Sequence, residues 1–154
     1  MKVTTVEDLM EMAHGYQRSM VLFAALDLGV FSSLSEGPSD ALRLARRIVA
    51  DPRRLSILLN ALVGVGLLGK KGKTYRNGEI ASRFLAGGPL SKASILLHHL
   101  GCWPEWTTLS GKIRAGGKAP GKRKGYQENF IRGMEDNARE RAVSVAKRFP
   151  LREG

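Results

Sequence analysis

Residues 51–77 restrict the possible folds more than any other part of the chain. Asp51-Pro52 precedes the nearly continuous apolar run LSILLNALVGVGL. Proline suits the first turn of a helix because its missing N–H has no intrahelical partner there. Two short β-prone pieces follow, around 67–71 and 74–77, separated by Gly72-Lys73. An amphipathic helix that Ser39 or Asp40 can cap comes before this segment. The resulting order of helix, helix and hairpin predicts a winged helix.

The N-terminal segment predicts a long helix over residues 5–28. Its apolar side chains recur at steps of three and four, and Thr4 or Thr5 can cap its start. From Met20 to Leu26 this helix is apolar on every side, so it must be covered by its own domain or by another subunit. A homodimer through this helix and its neighbours is therefore expected.

The C-terminal half also predicts helices. We expect one or two helical turns at 79–86 and a helix over 90–115 with an internal kink or break at Pro104. The stretch 116–125 holds four glycines and four basic residues and predicts a flexible basic loop. An amphipathic helix is expected over 126–150. The expected fold class is mainly α, with one small β-hairpin.

Charge and composition narrow the possible functions. The formal net charge is +11, and the first 60 residues contribute nothing to it because they hold seven basic and seven acidic side chains. The apolar runs are far shorter than the roughly 18 to 20 residues that span a bilayer. The N-terminus has acidic residues where a signal peptide is apolar, so a cytoplasmic protein is expected. A single cysteine, Cys102, is compatible with a reducing compartment.

The basic charge raises the alternative of a winged-helix transcription regulator that binds DNA. A recognition helix keeps one face polar to read base edges, whereas the helix predicted over 53–68 is apolar in almost every direction. Its polar positions are few, and the predicted hairpin carries basic residues that can touch phosphates without reading sequence. These polar and basic positions are Arg53, Arg54, Ser56 and Asn60 on the helix and Lys70, Lys71, Lys73 and Arg76 on the hairpin.

Two glycine motifs fail the structural test for nucleotide binding. Gly64-Val-Gly66-Leu-Leu-Gly69 matches GxGxxG, but a helical pattern precedes it and a hairpin follows, which reverses the strand–loop–helix order that the motif needs. These glycines are therefore expected to end a helix. Gly72-Lys73-Thr74 lacks the first glycine of a P-loop at the required spacing.

The segment LLHHLGCWPEWTTL is the candidate ligand-binding segment. His98 and His99 lie close to Trp103 and Trp106, and aromatic side chains beside imidazoles suit a pocket for a planar ligand. A core helix with satisfied histidines explains the pattern equally well. No pattern of Cys, Asp or Glu residues accompanies the histidines at metal-ligand spacing, so a metal site is not expected. Cys102 is interpreted as a small buried apolar residue, and no catalytic constellation can be assembled.

Four segments taken together resemble a known family. They are GYQRSMVLFAALDLGVFSSL, DPRRLSILLNALVGVGLLGKKGKTYRNGEIASRFL, WTTLSGKIRAGG and FIRGMEDNA. In this order they are similar to the N-terminal region of S-adenosylmethionine-dependent small-molecule O-methyltransferases of the bacterial and plant type. The second segment is the most specific of the four. The resemblance implies a winged-helix-like dimerisation domain over 1–115 that interlocks with its twofold mate and forms one wall of the acceptor pocket.

The resemblance also assigns candidate site residues. The FxxGM pattern places Phe130 and Met134 on the pocket wall, and Asn137 stands where plant members often have a histidine. Trp106 aligns with the helix beside the pocket, and His98, His99 and Trp103 lie one to two turns earlier.

The family's cofactor domain would follow the helix over 126–150. The resemblance implies that a Rossmann-like domain, with the S-adenosylmethionine site and the catalytic base, begins where this chain reaches Leu151–Gly154. We therefore expect no cofactor site in this chain and no methyl transfer by it alone.

Overall fold

The computed structural model describes residues 2–115 and 125–148. The chain divides into two compact units, one formed by residues up to Ala86 and the other from Gly87 onward. Residues 116–124 of the loop predicted over 116–125, and the last two residues of the helix predicted over 126–150, lie outside the described residues. Within the described part, no helix is both long enough and apolar enough to cross a membrane.

The first unit contains five helices and three short strands among its described residues. In chain order they are α1 Val6–Asp27, α2 Val30–Ser35, β1 Ser39–Asp40, α3 Ala41–Ile48, α4 Pro52–Gly64, β2 Leu68–Lys71, β3 Thr74–Asn77 and α5 Glu79–Phe84. The prediction of a mainly α chain with a β-hairpin is confirmed.

A third strand joins the predicted hairpin. The antiparallel sheet has the order β1-β3-β2, with Ser39 opposite Tyr75 in one ladder and Lys70 opposite Tyr75 in the other. β1 is two residues long, too short to show an alternating pattern in the sequence. Along the chain, α3 and α4 connect β1 to the hairpin.

Aspartate caps fix the starts of α3 and α4. The Asp40 carboxylate accepts from the Arg43 N–H at 2.8 Å, and Asp51 accepts from the Arg54 N–H at 2.7 Å. Each bond satisfies one backbone N–H that the first helical turn leaves without a partner. Asp40 rather than Ser39 is therefore the cap.

α4 ends four residues before the limit that the sequence suggests. It stops at Gly64, and Gly66 then adopts a left-handed φ of 77° while the Leu67 N–H donates to the Leu62 carbonyl at 2.9 Å. The prediction of a helix reaching residue 68 is wrong. The reason is that Leu68 starts a strand, and glycine supplies the turn that both elements need.

The core of the first unit is apolar and collects side chains from nearly every element. Asn77 also fastens the sheet to α2, since its side-chain N–H₂ donates to the Phe31 carbonyl at 2.8 Å. The fully covered core side chains with the largest volumes are Val30, Phe31, Leu44, Leu59 and Leu62.

The second unit consists of α6 Ala93–Thr107, α7 Leu109–Ala115 and α8 Tyr126–Arg148. α6 continues through Pro104 and ends at Thr107, so of the two alternatives, a break at Pro104 itself is wrong. The Thr107 and Thr108 hydroxyls donate to the Pro104 carbonyl at 2.9 and 3.1 Å. Such side-chain bonds compete with helical bonding, which places the break after the proline and not at it.

We predict that Val49→Gly stabilises the chain. Val49 caps the end of α3 in a left-handed conformation with φ 54°, and it is 92% exposed, so its side chain contributes little packing. Glycine removes roughly 1–2 kcal/mol of backbone strain from the folded state. This gain exceeds the loss of about 0.4–1 kcal/mol in the free energy of unfolding that the greater freedom of glycine in the unfolded chain causes. Urea unfolding measures the gain. The matched control is Val65→Gly at the end of α4, where φ is −92° and glycine should destabilise; a loss of stability in Val49→Gly would contradict the strain.

A second prediction concerns the start of α1. The pKa of Asp8 lies below its ordinary value of 3.8 because the Thr4 backbone, the Thr4 hydroxyl and then Thr5 hydrogen-bond to its carboxylate. A lowered carboxyl pKa means that the stabilisation is complete above about pH 4 and is lost as the pH falls through the folded-state pKa. Amide shifts of Thr4 and Thr5 should therefore titrate in acid. In Asp8→Asn, which accepts the same bonds without titrating, that transition should disappear; its persistence would contradict the assignment.

Candidate functional site

Two glycines let α6 and α8 approach closely in the second unit. A Cβ added to Gly133 would lie 2.9 Å from both Cα and Cβ of Ile95, and one added to Gly101 would lie 2.7 Å from Cδ2 of Tyr126. Real Cβ atoms do not approach neighbours so closely, so only glycine fits at either position. Gly133 is the glycine of the FxxGM pattern, and its role is therefore to seat α8 against α6.

The contact between these helices gathers a cluster around His98, here called the His98 cluster: His98, His99, Cys102, Tyr126 and Phe130. The His98 ring centroid lies 4.6 Å from that of Tyr126, 5.0 Å from that of Phe130 and 5.9 Å from that of His99, all in tilted orientations. Such distances are those of interacting aromatic rings. His98 is only 9% exposed, whereas Phe130 is 44% exposed.

Cys102 links the polar members of the His98 cluster. Its Sγ lies 3.7 Å from Nε2 of His98, one helical turn earlier, and 3.8 Å from the Tyr126 hydroxyl. The hydrogen bond with Cys102, followed by burial and by the charges of Cys102 and Glu105, raises the pKa of Tyr126 above its ordinary value. Tyr126 therefore stays a neutral phenol through the physiological range.

The second ring nitrogen of His98 has a different environment. Nδ1 is buried and has no hydrogen-bond partner in the described part of the chain. A buried polar atom without a partner is costly, and its presence in a structure calls for an explanation. It is the most distinctive chemical feature of this unit.

The structure brings together some of the sequence-predicted site residues. His98, His99 and Phe130 meet in the His98 cluster. Trp106 and Met134 are exposed by 67% and 42%, and Trp103 and Asn137 are half-buried. Among the residues that the structure describes, no ring contact or hydrogen bond joins either tryptophan or Asn137 to His98.

Sequence reasoning missed Tyr126 as a cluster residue and assigned Cys102 only an apolar role. The interpretation of Cys102 as a purely apolar residue is incomplete, because its Sγ has two polar partners. The spacing of His98 and Cys102 at i and i+4 was the available signal, since it places both on one helix face. Nothing local to residue 126 indicates that it meets residue 98.

The β2–β3 hairpin and α4 bear on the DNA-binding alternative. The Asn60 side-chain oxygen accepts from Lys70 Nζ at 2.8 Å and from the Tyr75 hydroxyl at 2.9 Å. Ile57, between Asn60 and the start of α4, is 65% exposed. Asn60, one of the few polar side chains of α4, is thus hydrogen-bonded to the hairpin, and Ile57 places an apolar side chain on the exposed side of this helix. This arrangement is unsuited to reading base edges.

The described residues also bear on metal and nucleotide sites. Over residues 2–115 and 125–148, no three His, Cys, Asp or Glu side chains come together in a way that would hold a metal ion. In the GxGxxG segment, Gly64 ends α4, Gly66 forms the turn and Gly69 lies beneath the Arg76 side chain, with a virtual Cβ 3.2 Å from Arg76 Nε. The prediction that these glycines end a helix is confirmed for Gly64 and Gly66, whereas Gly69 lies in β2.

Comparison with known proteins identifies the family. A family model described as the O-methyltransferase dimerisation domain matches residues 10–87, which is half of the chain. The chain belongs to this family. The match begins within α1 and ends just after α5, so it covers nearly all of the first unit. Membership favours the methyltransferase interpretation over the DNA-binding regulator.

Individual relatives agree with this assignment. Acetylserotonin O-methyltransferase from Mus musculus is 45% identical over 119 residues, which cover 70% of this chain and 30% of that protein. The N,N-dimethyltransferase OxyT from Streptomyces rimosus is 27% identical over 143 residues, covering 92% of this chain and 42% of that protein. The chain thus spans less than half the length of these relatives.

A solved structure extends the similarity to the second unit. Human N-acetylserotonin methyltransferase in complex with SAM superposes with a TM-score of 0.77 and 28% identity, over 97% of this chain and 50% of that one. This dimerisation-domain chain therefore has the backbone architecture of the corresponding half of that methyltransferase.

We predict that Gly133→Ala destabilises the second unit by about 1–3 kcal/mol, because the added methyl group overpacks the contact with Ile95. The matched control is Gly111→Ala in α7, where a Cβ meets nothing within 4 Å and alanine should stabilise by up to about 1 kcal/mol. Both tryptophans lie in α6, so tryptophan fluorescence during urea unfolding reports on this unit. Equal stability of Gly133→Ala and wild type would contradict the close approach.

Proposed function

We propose that this dimerisation-domain chain forms a homodimer through α1 and contributes a wall to the acceptor pocket of an S-adenosylmethionine-dependent small-molecule O-methyltransferase. Family membership supplies the dimerisation role. The observation that carries the location of the interface is the uncovered apolar surface of α1.

The N-terminal two thirds of α1 are exposed, while its last turns are anchored in the first unit. Phe23, Ala25 and Leu26 are buried in the core. Every residue from Val6 to Arg18 except Asp8 is exposed, including large apolar side chains that a single chain leaves in water. These side chains are Val6, Leu9, Met10, Met12 and Tyr16, at 47–69% exposure. A contiguous apolar helix surface of this kind is typical of an interface that another subunit covers.

The second unit supplies the proposed acceptor wall. Phe130 and Met134 lie on one side of α8, four residues apart, and both are partly exposed. Aromatic and thioether side chains suit the flat faces of an aromatic acceptor. Methyl transfer to a hydroxyl depends strongly on holding the acceptor oxygen in line with the methyl donor, so a wall that positions the acceptor contributes directly to the rate. His98, His99, Trp103, Trp106 and Asn137 complete the proposed acceptor-binding set.

The cofactor is proposed to bind outside this chain. The relatives are methyltransferases, and one solved relative holds SAM, while this chain spans only 30% of the length of the mouse relative. We propose S-adenosylmethionine for the intact enzyme and no cofactor or catalytic base in residues 1–154. The acceptor is proposed to be a small aromatic hydroxyl compound, since the relatives include acetylserotonin O-methyltransferases.

The remaining assignments extend this proposal. We propose a winged-helix-like dimerisation domain over 1–115, a linker over 116–125 and a helix over 126–150 that leads toward the catalytic domain. The order of β1, α3, α4 and the β2–β3 hairpin supports the winged-helix comparison. A cytoplasmic location is proposed from the composition of the N-terminus.

The dimer interface can be tested by charge insertion. Leu9→Lys should raise the dimer dissociation constant by roughly 10- to 100-fold, because a half-exposed apolar side chain that is buried on association becomes charged. Sedimentation equilibrium measures the change. Ile57→Lys on α4 is the matched control, since Ile57 is equally apolar and 65% exposed, and it should leave the dimer intact. A wild-type monomer at micromolar concentration, or an unchanged dimer in Leu9→Lys, would contradict the proposed interface.

A further inference from the structure

We propose that the outer face of the β2–β3 hairpin binds a small molecule that carries two adjacent phosphoryl groups, with Lys71, Thr74 and Arg76 as its contacts. This site lies wholly in the first unit and shares no residue with α1 or with the His98 cluster. It is therefore independent of the proposed dimer interface and of the proposed acceptor wall.

The hairpin concentrates positive charge that the fold leaves without counter-ions. None of its four basic side chains has an ion-pair partner among the residues that the structure describes; they are Lys70, Lys71, Lys73 and Arg76. Lys70 Nζ donates to the Asn60 side-chain oxygen at 2.8 Å and lies 4.9 Å from the centre of the Tyr75 ring. These contacts orient the ammonium group but do not neutralise it. An anion on the hairpin therefore gains from several positive charges at once.

The strand register gathers two of these cations and a hydroxyl on one face. Lys71 lies opposite Thr74, and Gly69 lies opposite Arg76. Partners across an antiparallel pair share a face, and so do residues two apart along a strand. Lys71, Thr74 and Arg76 therefore lie on the outer face, whereas Tyr75, between the last two, faces the core and is only 3% exposed.

These side chains line an open cleft of about 440 Å³, which Pro38 and Lys70 complete. This volume falls within the roughly 300–1,000 Å³ of small-molecule sites. Asp40 is the acidic residue that the register places on this face, opposite Thr74. Its carboxylate is already engaged, since it accepts from the Arg43 N–H at 2.8 Å and lies 3.5 Å from Arg43 Nε. The cleft therefore presents net positive charge to an incoming anion.

Gly69 gives the cleft a defined geometry. A Cβ at this position would lie 3.2 Å from Nε and 3.4 Å from Cγ of Arg76, so the Arg76 side chain lies across bare backbone. A guanidinium group is a planar fork of donors that matches phosphate oxygens in pairs. Lys71 adds a point charge, and Thr74 adds a hydroxyl donor. Together they form the donor set that a tetrahedral oxyanion requires.

The number of cations favours two phosphoryl groups over one phosphate or one carboxylate. A carboxylate carries a single negative charge, and a phosphate monoester carries about −1.5 to −2 at pH 7. The four unpaired cations of the hairpin exceed both. The cleft also has room for the group that bears the phosphates. The predicted ligand class is a small diphosphate compound, and inorganic pyrophosphate is its simplest probe.

The experiment titrates the full 154-residue chain with inorganic pyrophosphate in a phosphate-free buffer at low ionic strength. Amide shifts in ¹H–¹⁵N spectra locate the site, and calorimetry gives the Kd. We expect saturable binding that moves the amides of β2 and β3 and leaves those of α1 and α6 unmoved. Orthophosphate should bind several-fold more weakly, because it reaches fewer of the cations.

Variants separate a built site from general charge attraction. Arg76→Gln should raise the Kd for pyrophosphate by roughly 10- to 100-fold, because a charge-assisted paired contact is lost. The matched control Arg53→Gln removes the same charge from an exposed position at the start of α4, outside the cleft, and should change the Kd by less than about 2-fold. Gly69→Val keeps every charge but displaces the Arg76 side chain, so it should raise the Kd by roughly 2- to 10-fold.

Four results would overturn the inference. They are the absence of saturable binding, equal affinity for pyrophosphate and orthophosphate, an equal loss in Arg53→Gln and Arg76→Gln, and tighter binding of duplex DNA than of pyrophosphate at the same amides. The last would identify an extended surface for a nucleic-acid backbone. Thermal unfolding checks that each variant is folded, and the comparison of the two anions in the wild-type chain decides the question whether or not a variant folds. None of these results bears on the dimer interface, which Leu9→Lys tests separately.

Discussion

The close approach of α6 and α8 is the contact on which the chemistry of the second unit depends. Two glycines allow this approach because they have no side chain: Gly133 lies against Ile95, and Gly101 lies against Tyr126. With any larger residue the helices would separate, and His98 would lose the flanking rings of Tyr126 and Phe130. The glycine of the FxxGM pattern thus has a packing role, and the phenylalanine and methionine around it are placed by that packing.

In the first unit the dominant feature is not a close contact but an uncovered helix, because α1 is longer than the core of that unit can cover. α1 has 22 residues, of which only those near its C-terminal end are buried. α1 begins with a capping box formed by Thr5 and Asp8, and most of its 22 residues are exposed. An exposed helix of this kind adds little to the stability of a single chain, because isolated helices are marginal in water. A second subunit that covers Leu9, Met10 and their neighbours accounts for both the length of the helix and its apolar composition.

The sequence was sufficient to predict most of the first unit. Proline at the start of α4, aspartate caps and the β-prone pieces around Gly72-Lys73 are local signals, and the corresponding elements are present. The errors arose where contacts between distant parts of the sequence decide the structure. β1 is a two-residue strand whose existence depends on its pairing with β3, and α4 ends at Gly64 because Leu68 is needed in the sheet. In both cases pairing between distant strands decides the structure, and in α4 it overrides a continuous apolar pattern.

The candidate site was less predictable because it depends on a contact between residues 24 to 32 positions apart. Periodicity shows that His98 and Cys102 share a helix face, but it does not show that Tyr126 and Phe130 meet them. The family resemblance supplied Phe130, and the aromatic segment supplied His98 and His99. The structure brings His98, His99 and Phe130 together. As acceptor contacts, these three residues stay predictions, and so do Trp103, Trp106, Met134 and Asn137.

The two halves of the proposal have a common physical basis, which is apolar surface held ready for a partner. A dimerisation helix and a ligand wall both present side chains that water solvates poorly, and each gains free energy when it is covered. The difference lies in the polar groups. α1 presents apolar side chains with charged residues between them, which suits a protein partner of complementary shape, whereas the His98 cluster contains a buried ring nitrogen that has no partner among the described residues.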